Sequence, residues 1–164
     1  MDAAGNETVT DVLTVKLDTI KPVIGDAAFN EGYKNLWNWL IRKDSLEITI
    51  PVAEAGSGIE SVDYELISED SSTTAGRATV KKASGENSAG YTAVIYISPD
   101  FKGKIMITAR DYAGNVSDTK MIGTDGSGIH GIIVEDHAPE ITFSVNGSES
   151  PAEEYEKAPT VVVT

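Results

Sequence analysis

Apolar and polar residues alternate along much of this chain, in short runs separated by glycine, proline and polar residues. Side chains two positions apart lie on the same face of a β-strand, so each run predicts a strand with one buried face. The runs cover residues 7–18, 46–52, 62–66, 91–97, 104–110 and 132–134. Pro51 cannot donate a backbone hydrogen bond, so its strand must end, bulge or face a sheet edge there. About seven short strands, with frequent turns and no long helical period, predict an all-β antiparallel β-sandwich.

A five-residue motif occurs twice in the chain. It stands as Asp2–Asn6 near the start and as Asp111–Asn115 later, with Ala3 in place of Tyr112. A proline follows each copy, but 109 positions separate Asp2 from Asp111 whereas 117 separate Pro22 from Pro139. The second copy is therefore longer by eight residues, and glycine-rich residues 123–128 are the expected insertion.

Such a repeat indicates an array of similar modules. We expect residues 1–19 to be the last strand of a preceding repeat, residues 20–135 to form a complete sandwich, and residues 136–164 to supply the first strands of a following repeat. Within the complete module, residues 68–76 and 84–90 are polar and are expected to form surface loops.

Residues 30–44 are the least regular part of the predicted module. They contain both tryptophans of the chain, Trp37 and Trp39, together with Tyr33. Large aromatic side chains usually belong to a core, and the spacing of the apolar residues at 36, 37, 40 and 41 would also suit one helical turn. These aromatic residues could alternatively stack on a sugar ring or contact a neighbouring module, so Tyr33, Trp37 and Trp39 are candidate ligand-binding residues.

Charge and composition exclude several classes of function. The formal net charge is −13, which argues against binding to nucleic acid or to an anionic membrane surface, because both require a basic face. The chain has no cysteine, so disulfides, thiolate metal sites and thiol catalysis are absent. No run of 18 apolar residues occurs, so we expect no membrane insertion of this segment. No convergent set of catalytic residues stands out, and we expect no enzyme activity.

The motif at Asp111 has a structural and a chemical interpretation. Asp111 can accept hydrogen bonds from the backbone two residues on, and Gly114 can adopt a positive φ, so the motif suits a turn. Calcium also binds carboxylate and amide oxygens in exposed loops. The candidate calcium ligands are Asp111, Asn115, Asp118, Glu135 and Asp136. No other cofactor is indicated, and His130 and His137 lack the partners of a zinc site.

The motif Asp111–Asn115 after a strand, residues 56–59 before a strand, and the proline-led first strand together resemble the bacterial Ig-like repeats of surface proteins and adhesins. The resemblance implies an immunoglobulin-like sandwich that is extracellular, at the cell surface or secreted. It implies a non-catalytic stalk, spacer or adhesion repeat whose partners are neighbouring Ig-like repeats and possible glycans or host surface proteins. The alternative is a carbohydrate- or protein-binding accessory module of a larger secreted enzyme. Residues 30–44 and the insertion near Gly126 depart from a minimal repeat.

The incomplete modules at the two ends would each expose an apolar strand face. These strands are expected at Leu13, Val15 and Leu17, and at Ile141, Phe143, Val145 and residues 161–163. Unpaired strand edges are templates for pairing. We therefore expect the end strands to dock, either on the central sandwich or on another copy of the chain. In the second case the amino-terminal strand of one chain pairs with the third module of another.

Overall fold

The computed structural model describes residues 3–7, 17–83, 90–123, 128–138, 143–145 and 160–163. Among these residues it contains β-strands and turns and no helix, which confirms the all-β prediction. The strands are β1 (Val23–Ile24), β2 (Ala28–Phe29), β3 (Lys34–Leu36), β4 (Trp39–Arg42), β5 (Leu46–Ala53), β6 (Ile59–Ser68), β7 (Thr73–Arg77), β8 (Thr79–Lys82), β9 (Gly90–Ile97), β10 (Phe101–Asp111), β11 (Lys120–Ile122), β12 (Gly131–Val134), β13 (Phe143–Val145) and β14 (Val161–Val163).

Strands β1 to β12 form two sheets. The first sheet has the order β1-β5-β9-β8, with β2 also paired to β5, and all its pairings are antiparallel. The second has the order β3-β4-β12-β10-β6-β7, with β11 also paired to β10. Its pairings are antiparallel except between β12 and β4, which run parallel.

The two sheets bury one common core. The alternating apolar residues of β5 and β9 in the first sheet face those of β6, β10 and β12 in the second. Fully buried members from both sheets are Leu46, Ile48, Ile50, Ile95, Ile97, Ile105, Ile107, Ile132 and Val134. A period of two along each strand places these side chains between the sheets and the polar ones outside. The β-sandwich prediction is therefore confirmed.

Pro51 lies within β5 and does not end it. The Pro51 carbonyl oxygen accepts a hydrogen bond of 2.8 Å from the Gly25 amide. The proline nitrogen faces the same side, where the neighbouring strand is broken between β1 and β2. The missing donor therefore falls at an interruption of the partner strand, so β5 contains the proline without the end, bulge or sheet edge that the sequence predicted.

The glycine-rich insertion lies in the chain between β11 and β12, two short strands that both pair with β10. Ile122 of β11 pairs with Ile105, whereas Ile132 of β12 pairs with Gly103, two residues away on β10. Strands β11 and β12 therefore pair one after the other with the same side of β10. Residues 124–127 of this insertion, and residues 84–89 of the expected polar turn, lie outside the described part of the chain.

One local prediction was wrong, and one alternative that the sequence left open is not observed. Residues 68–76 were expected to form a loop, but residues 73–77 form β7, which pairs with β6 along five residues. Residues 30–44 were compatible with a helical turn, but they contain the β3–β4 hairpin. Leu40 of this hairpin is buried in the core, whereas the Trp37 side chain is 89 % exposed.

The carboxyl-terminal residues form a sheet of their own. Strand β13 pairs with β14 antiparallel, from Phe143 opposite Val163 to Val145 opposite Val161. Most of the expected amino-terminal strand, residues 8–16, and Ile141 lie outside the described residues, so the expected exchange of strands between chains stays a prediction. The described part of the chain has no helix that is long and apolar enough to cross a membrane.

Candidate functional site

The chain enters the sandwich beside one end of β10 and leaves it beside the other end. Asp18, in the segment before β1, contacts the loop that follows β10 at Asn115. At the opposite end, Val134 of β12 pairs with Phe101, the first residue of β10, and Glu135 follows directly. Strand β10 has 11 residues, so at about 3.3 Å per residue it separates the two ends by roughly 36 Å.

The motif Asp111–Asn115 forms a tight hydrogen-bonded turn at the first of these ends. The Asn115 backbone amide donates to Asp111 Oδ1 at 2.8 Å, and Asn115 Nδ2 donates to Asp111 Oδ2 at 2.7 Å. The Gly114 amide donates to the Asp111 carbonyl at 3.1 Å, with Gly114 at a φ of 93° that favours glycine. A β-bulge between Arg110 and Asp111 ends the regular pairing with β6 at this point.

Residues 3–6 of the first copy of the motif have a local conformation similar to that of residues 112–115. Residues 3 and 4 form a turn, as residues 112 and 113 do. Gly5 has a φ of 87°, close to that of Gly114. The sequence repeat is therefore also a repeat of backbone conformation.

Asp18 attaches the incoming segment to this end of the sandwich. Its Oδ2 accepts a hydrogen bond of 2.7 Å from the Ser57 amide, and its Oδ1 accepts one of 3.0 Å from the Ile20 amide. Asn115 Nδ2 donates to the Asp18 carbonyl at 3.2 Å. A Cβ at Gly56 would overlap the Asp18 carboxylate, so the absence of a side chain at Gly56 is what admits Asp18.

Both aspartates of this cluster are more acidic than usual. Burial raises the pKa of Asp111, but hydrogen bonds from the side chain and backbone of Asn115 outweigh burial, and the pKa lies below its ordinary value of 3.8. The pKa of Asp18 is also lowered, first by the Ile20 amide and then by hydrogen bonds from Ser57. Both carboxylates are therefore ionised at neutral pH.

Sequence reasoning found Asp111 and Asn115 but missed Asp18 and Glu54. One carboxylate oxygen from each of Asp18, Glu54 and Asp111 lies within 4.8 Å of the other two. A sequence signal for two of them exists, because Glu54 continues the inward register of residues 46–52 and Asp111 continues that of residues 105–109. An acidic residue in an inward register is rare unless it is paired or has a function.

The remaining predicted calcium ligands do not join this cluster. The Asp118 side chain is 88 % exposed and pairs with Lys21 at 2.5 Å. Glu135 and Asp136 are exposed and lie beyond the opposite end of β10. Asp136 instead lies near His137, whose Nδ1 is 3.4 Å from Asp136 Oδ1 and 3.1 Å from Asp100 Oδ1. The structure thus divides the five residues between two ends of the sandwich.

The three predicted ligand-binding aromatics take three different positions on or near the β3–β4 hairpin. Trp37 lies at the hairpin tip, while the ring of Trp39 lies against Gly131 and beneath Lys102, whose Nζ is 5.4 Å from the ring centroid. Tyr33 makes an edge-to-face contact with Phe29, with 5.8 Å between ring centroids. Tyr33 and Trp39 therefore contact other parts of the same sandwich, and their role in binding a ligand stays a prediction.

The hairpin also contacts His130, which lies between the glycine-rich residues and β12. The His130 amide donates to the Asn38 carbonyl at 2.7 Å, and Trp39 and His130 line a surface groove of about 410 Å³ with residues of β6 and β10. Comparison of the sequence with protein-family models found no matching family, and comparison with curated proteins found no significant match.

Proposed function

We propose that the chain is a non-catalytic, immunoglobulin-like module of a tandem array, which acts as a spacer or adhesion repeat in a bacterial surface or secreted protein. The observation that carries this proposal is the position of the two connections, because the chain enters beside Asp111 and leaves beside Phe101, at opposite ends of β10. Modules connected in this way stack end to end. Neighbouring repeats are then the principal partners.

The strand order supports the immunoglobulin-like assignment. If β1 and β2 together count as strand A, the first sheet has the order A-B-E-D of an immunoglobulin constant-type domain. In the second sheet, β6 corresponds to strand C, β10 to strand F, and β11 and β12 together to strand G, which gives the order C-F-G. The β3–β4 hairpin is then an addition between strands A and B that extends the second sheet beside β12.

The docked connection supports a role as a spacer. Asp18 is hydrogen-bonded to Ser57 and, through its carbonyl, to Asn115, and Pro22 just beyond it is buried. A connection held at two points transmits orientation from one module to the next better than a free linker does. The recurrence of the turn at Gly5 and Gly114 supports the same organisation in the preceding repeat.

Small-angle X-ray scattering tests the spacer function. We expect the maximum dimension of the particle to increase by about 36 Å or more when a second copy of residues 20–135 is added in tandem, since each module spans at least the length of β10. The control is the 164-residue chain at the same mass concentration. A maximum dimension that grows only as the cube root of the mass would mean a compact globule and would contradict the proposal.

One observation favours a binding function in addition. Trp37 is 89 % exposed at the hairpin tip, and Trp37 and Asn38 have φ values of 51° and 64°. Both values belong to a two-residue turn that usually contains asparagine and glycine, and a bulky residue is uncommon in this conformation. A tryptophan held at such a position suits contact with a glycan or a protein surface.

The variant Trp37→Ala tests this binding function. We expect it to abolish at least nine-tenths of any binding seen on a glycan array or on host-protein blots, while leaving the melting temperature within about 1 °C, because exposed substitutions change stability little. Tyr96→Ala is the matched control, since Tyr96 is 61 % exposed on β9. Binding that Trp37→Ala retains in full would eliminate the hairpin as the contact.

A further inference from the structure

The acidic cluster beneath the incoming segment contains a carboxylate oxygen that no described group satisfies. Glu54 is 6 % exposed and Asp111 is fully buried. Glu54 Oε1 accepts a hydrogen bond of 2.6 Å from the Gly56 amide, but Glu54 Oε2 is buried and has no hydrogen-bond partner in the described part of the chain. A buried ionised oxygen is strongly unfavourable unless a cation or a donor faces it.

The surroundings of this oxygen concentrate negative charge. Asp18, Glu54 and Asp111 bring three carboxylates together within 4.8 Å. The donors that reach them are all neutral, namely the amides of Ile20, Gly56, Ser57, Ala113 and Asn115 and the hydroxyl of Ser57. Among the ion pairs of the described residues, none involves a member of this cluster. Like charges at this separation repel one another, so an ionised cluster calls for a bound cation.

We propose that Asp18, Glu54 and Asp111 form a calcium site that fastens the incoming segment to the sandwich. Calcium binds oxygen ligands at about 2.3–2.6 Å, so two oxygens on one ion lie at most about 5 Å apart, as the three carboxylates do. An all-oxygen ligand set without histidine or cysteine favours calcium over zinc or copper. Asp18 is half-buried, so water can complete the six to eight ligands that calcium takes.

Asn115 is a positioning residue in this site. Its Nδ2 donates to both Asp111 Oδ2 and the Asp18 carbonyl, so it holds two of the three ligand residues at the correct separation. The site differs from the set expected from the sequence, because it joins the motif to Asp18 and Glu54 and excludes Asp118, Glu135 and Asp136. It lies within one chain, so its test is independent of whether the modules stack in a rod.

Calcium should bind once per chain and stabilise the fold. With a dissociation constant of about 1 mM, within the range of extracellular modules, 10 mM CaCl₂ favours the folded state by roughly 11-fold. This raises the melting temperature by about 3–6 °C relative to EDTA at matched ionic strength. Isothermal titration calorimetry with CaCl₂ measures the stoichiometry, and MgCl₂ serves as the comparison ion, for which we expect a smaller rise.

Four variants, each removing one negative charge, locate the site. Glu54→Gln and Asp18→Asn should weaken calcium binding at least 10-fold, whereas Asp118→Asn and Asp136→Asn should leave it within about twofold. In EDTA, Glu54→Gln should melt at or above the wild-type temperature, because the glutamine amide brings a donor to the neighbouring carboxylates in place of the buried oxygen that lacks a partner among the described residues. In 10 mM CaCl₂ it should melt below the wild type, and a merely structural glutamate would not produce this reversal.

Three results would overturn the proposal. One is the absence of calcium binding to the wild-type chain at 10 mM. Another is calcium binding that persists within twofold in both Glu54→Gln and Asp18→Asn, since the ion would then lie elsewhere. The third is a loss of stability in Glu54→Gln that is equal in EDTA and in CaCl₂, because Glu54 would then serve the fold and not a cation.

Discussion

Replacing Ile107 by alanine should destabilise the sandwich by about 2–5 kcal/mol. Ile107 is fully buried in β10, the strand that pairs with β6 on one side and with β11 and β12 on the other. Its side chain is part of the core that the two sheets share, so truncation leaves a cavity that a rigid central strand cannot close. Urea denaturation followed by tryptophan fluorescence measures the change.

Two further variants show whether the loss of stability in Ile107→Ala comes from core packing or from any substitution near β10. Ile107→Val should cost about 0.5–1.5 kcal/mol, because it removes one methylene from the same site. Val116→Ala is the matched control, since Val116 is 42 % exposed beside the same strand, and it should cost less than about 1 kcal/mol. An Ile107→Ala loss no larger than that of Val116→Ala would show that the core is not centred on β10.

Long alternating runs were the parts of the fold that the sequence predicted well. Strand β5 alternates buried and outward residues from Leu46 to Ala53, and β10 does so from Phe101 to Asp111. The reason is local, because a strand with one face on a core needs an apolar residue at every second position. Such a pattern can be recognised without knowing which strand is the partner.

Strand β7 and the β3–β4 hairpin lacked this local signal. Residues 73–77 have no large apolar side chain, and they become a strand because β6 presents an open edge to them. The hairpin turn at Trp37 and Asn38 contains no glycine, although both residues have positive φ. Tertiary pairing decided both cases, and the context of a strand can override its intrinsic preference.

The candidate site was only partly predictable for a related reason. Asp111 and Asn115 lie in one short motif, so their mutual contact is local. Asp18 and Glu54 meet Asp111 only after β1, β5 and β10 have been placed in two different sheets. The inward register of Glu54 marks it as unusual, but the register alone does not indicate which other carboxylates it meets.

The second large effect is expected from Gly56→Ala, which should release the incoming segment without unfolding the module. A methyl group at residue 56 would occupy the position of the Asp18 carboxylate. Gly56 has no positive φ that alanine would find strained, and the end of the Asp18 side chain can move aside. The hydrogen bond from the Ser57 amide to Asp18 should therefore be lost while the core stays intact.

Amide hydrogen exchange measured by NMR detects this release. Losing one hydrogen bond to a charged acceptor corresponds to about 1.5 kcal/mol or more, so the Ser57 amide should exchange at least about 10-fold faster in Gly56→Ala. Asp18→Ala should reproduce this acceleration, because it removes the same acceptor. Gly90→Ala is the control, since its Cβ would meet only the Val52 carbonyl oxygen at 3.9 Å, and it should leave Ser57 unchanged. If Ser57 kept its protection in both Gly56→Ala and Asp18→Ala, Asp18 would not fasten the incoming segment to the sandwich, and a stiff connection between modules would need another cause.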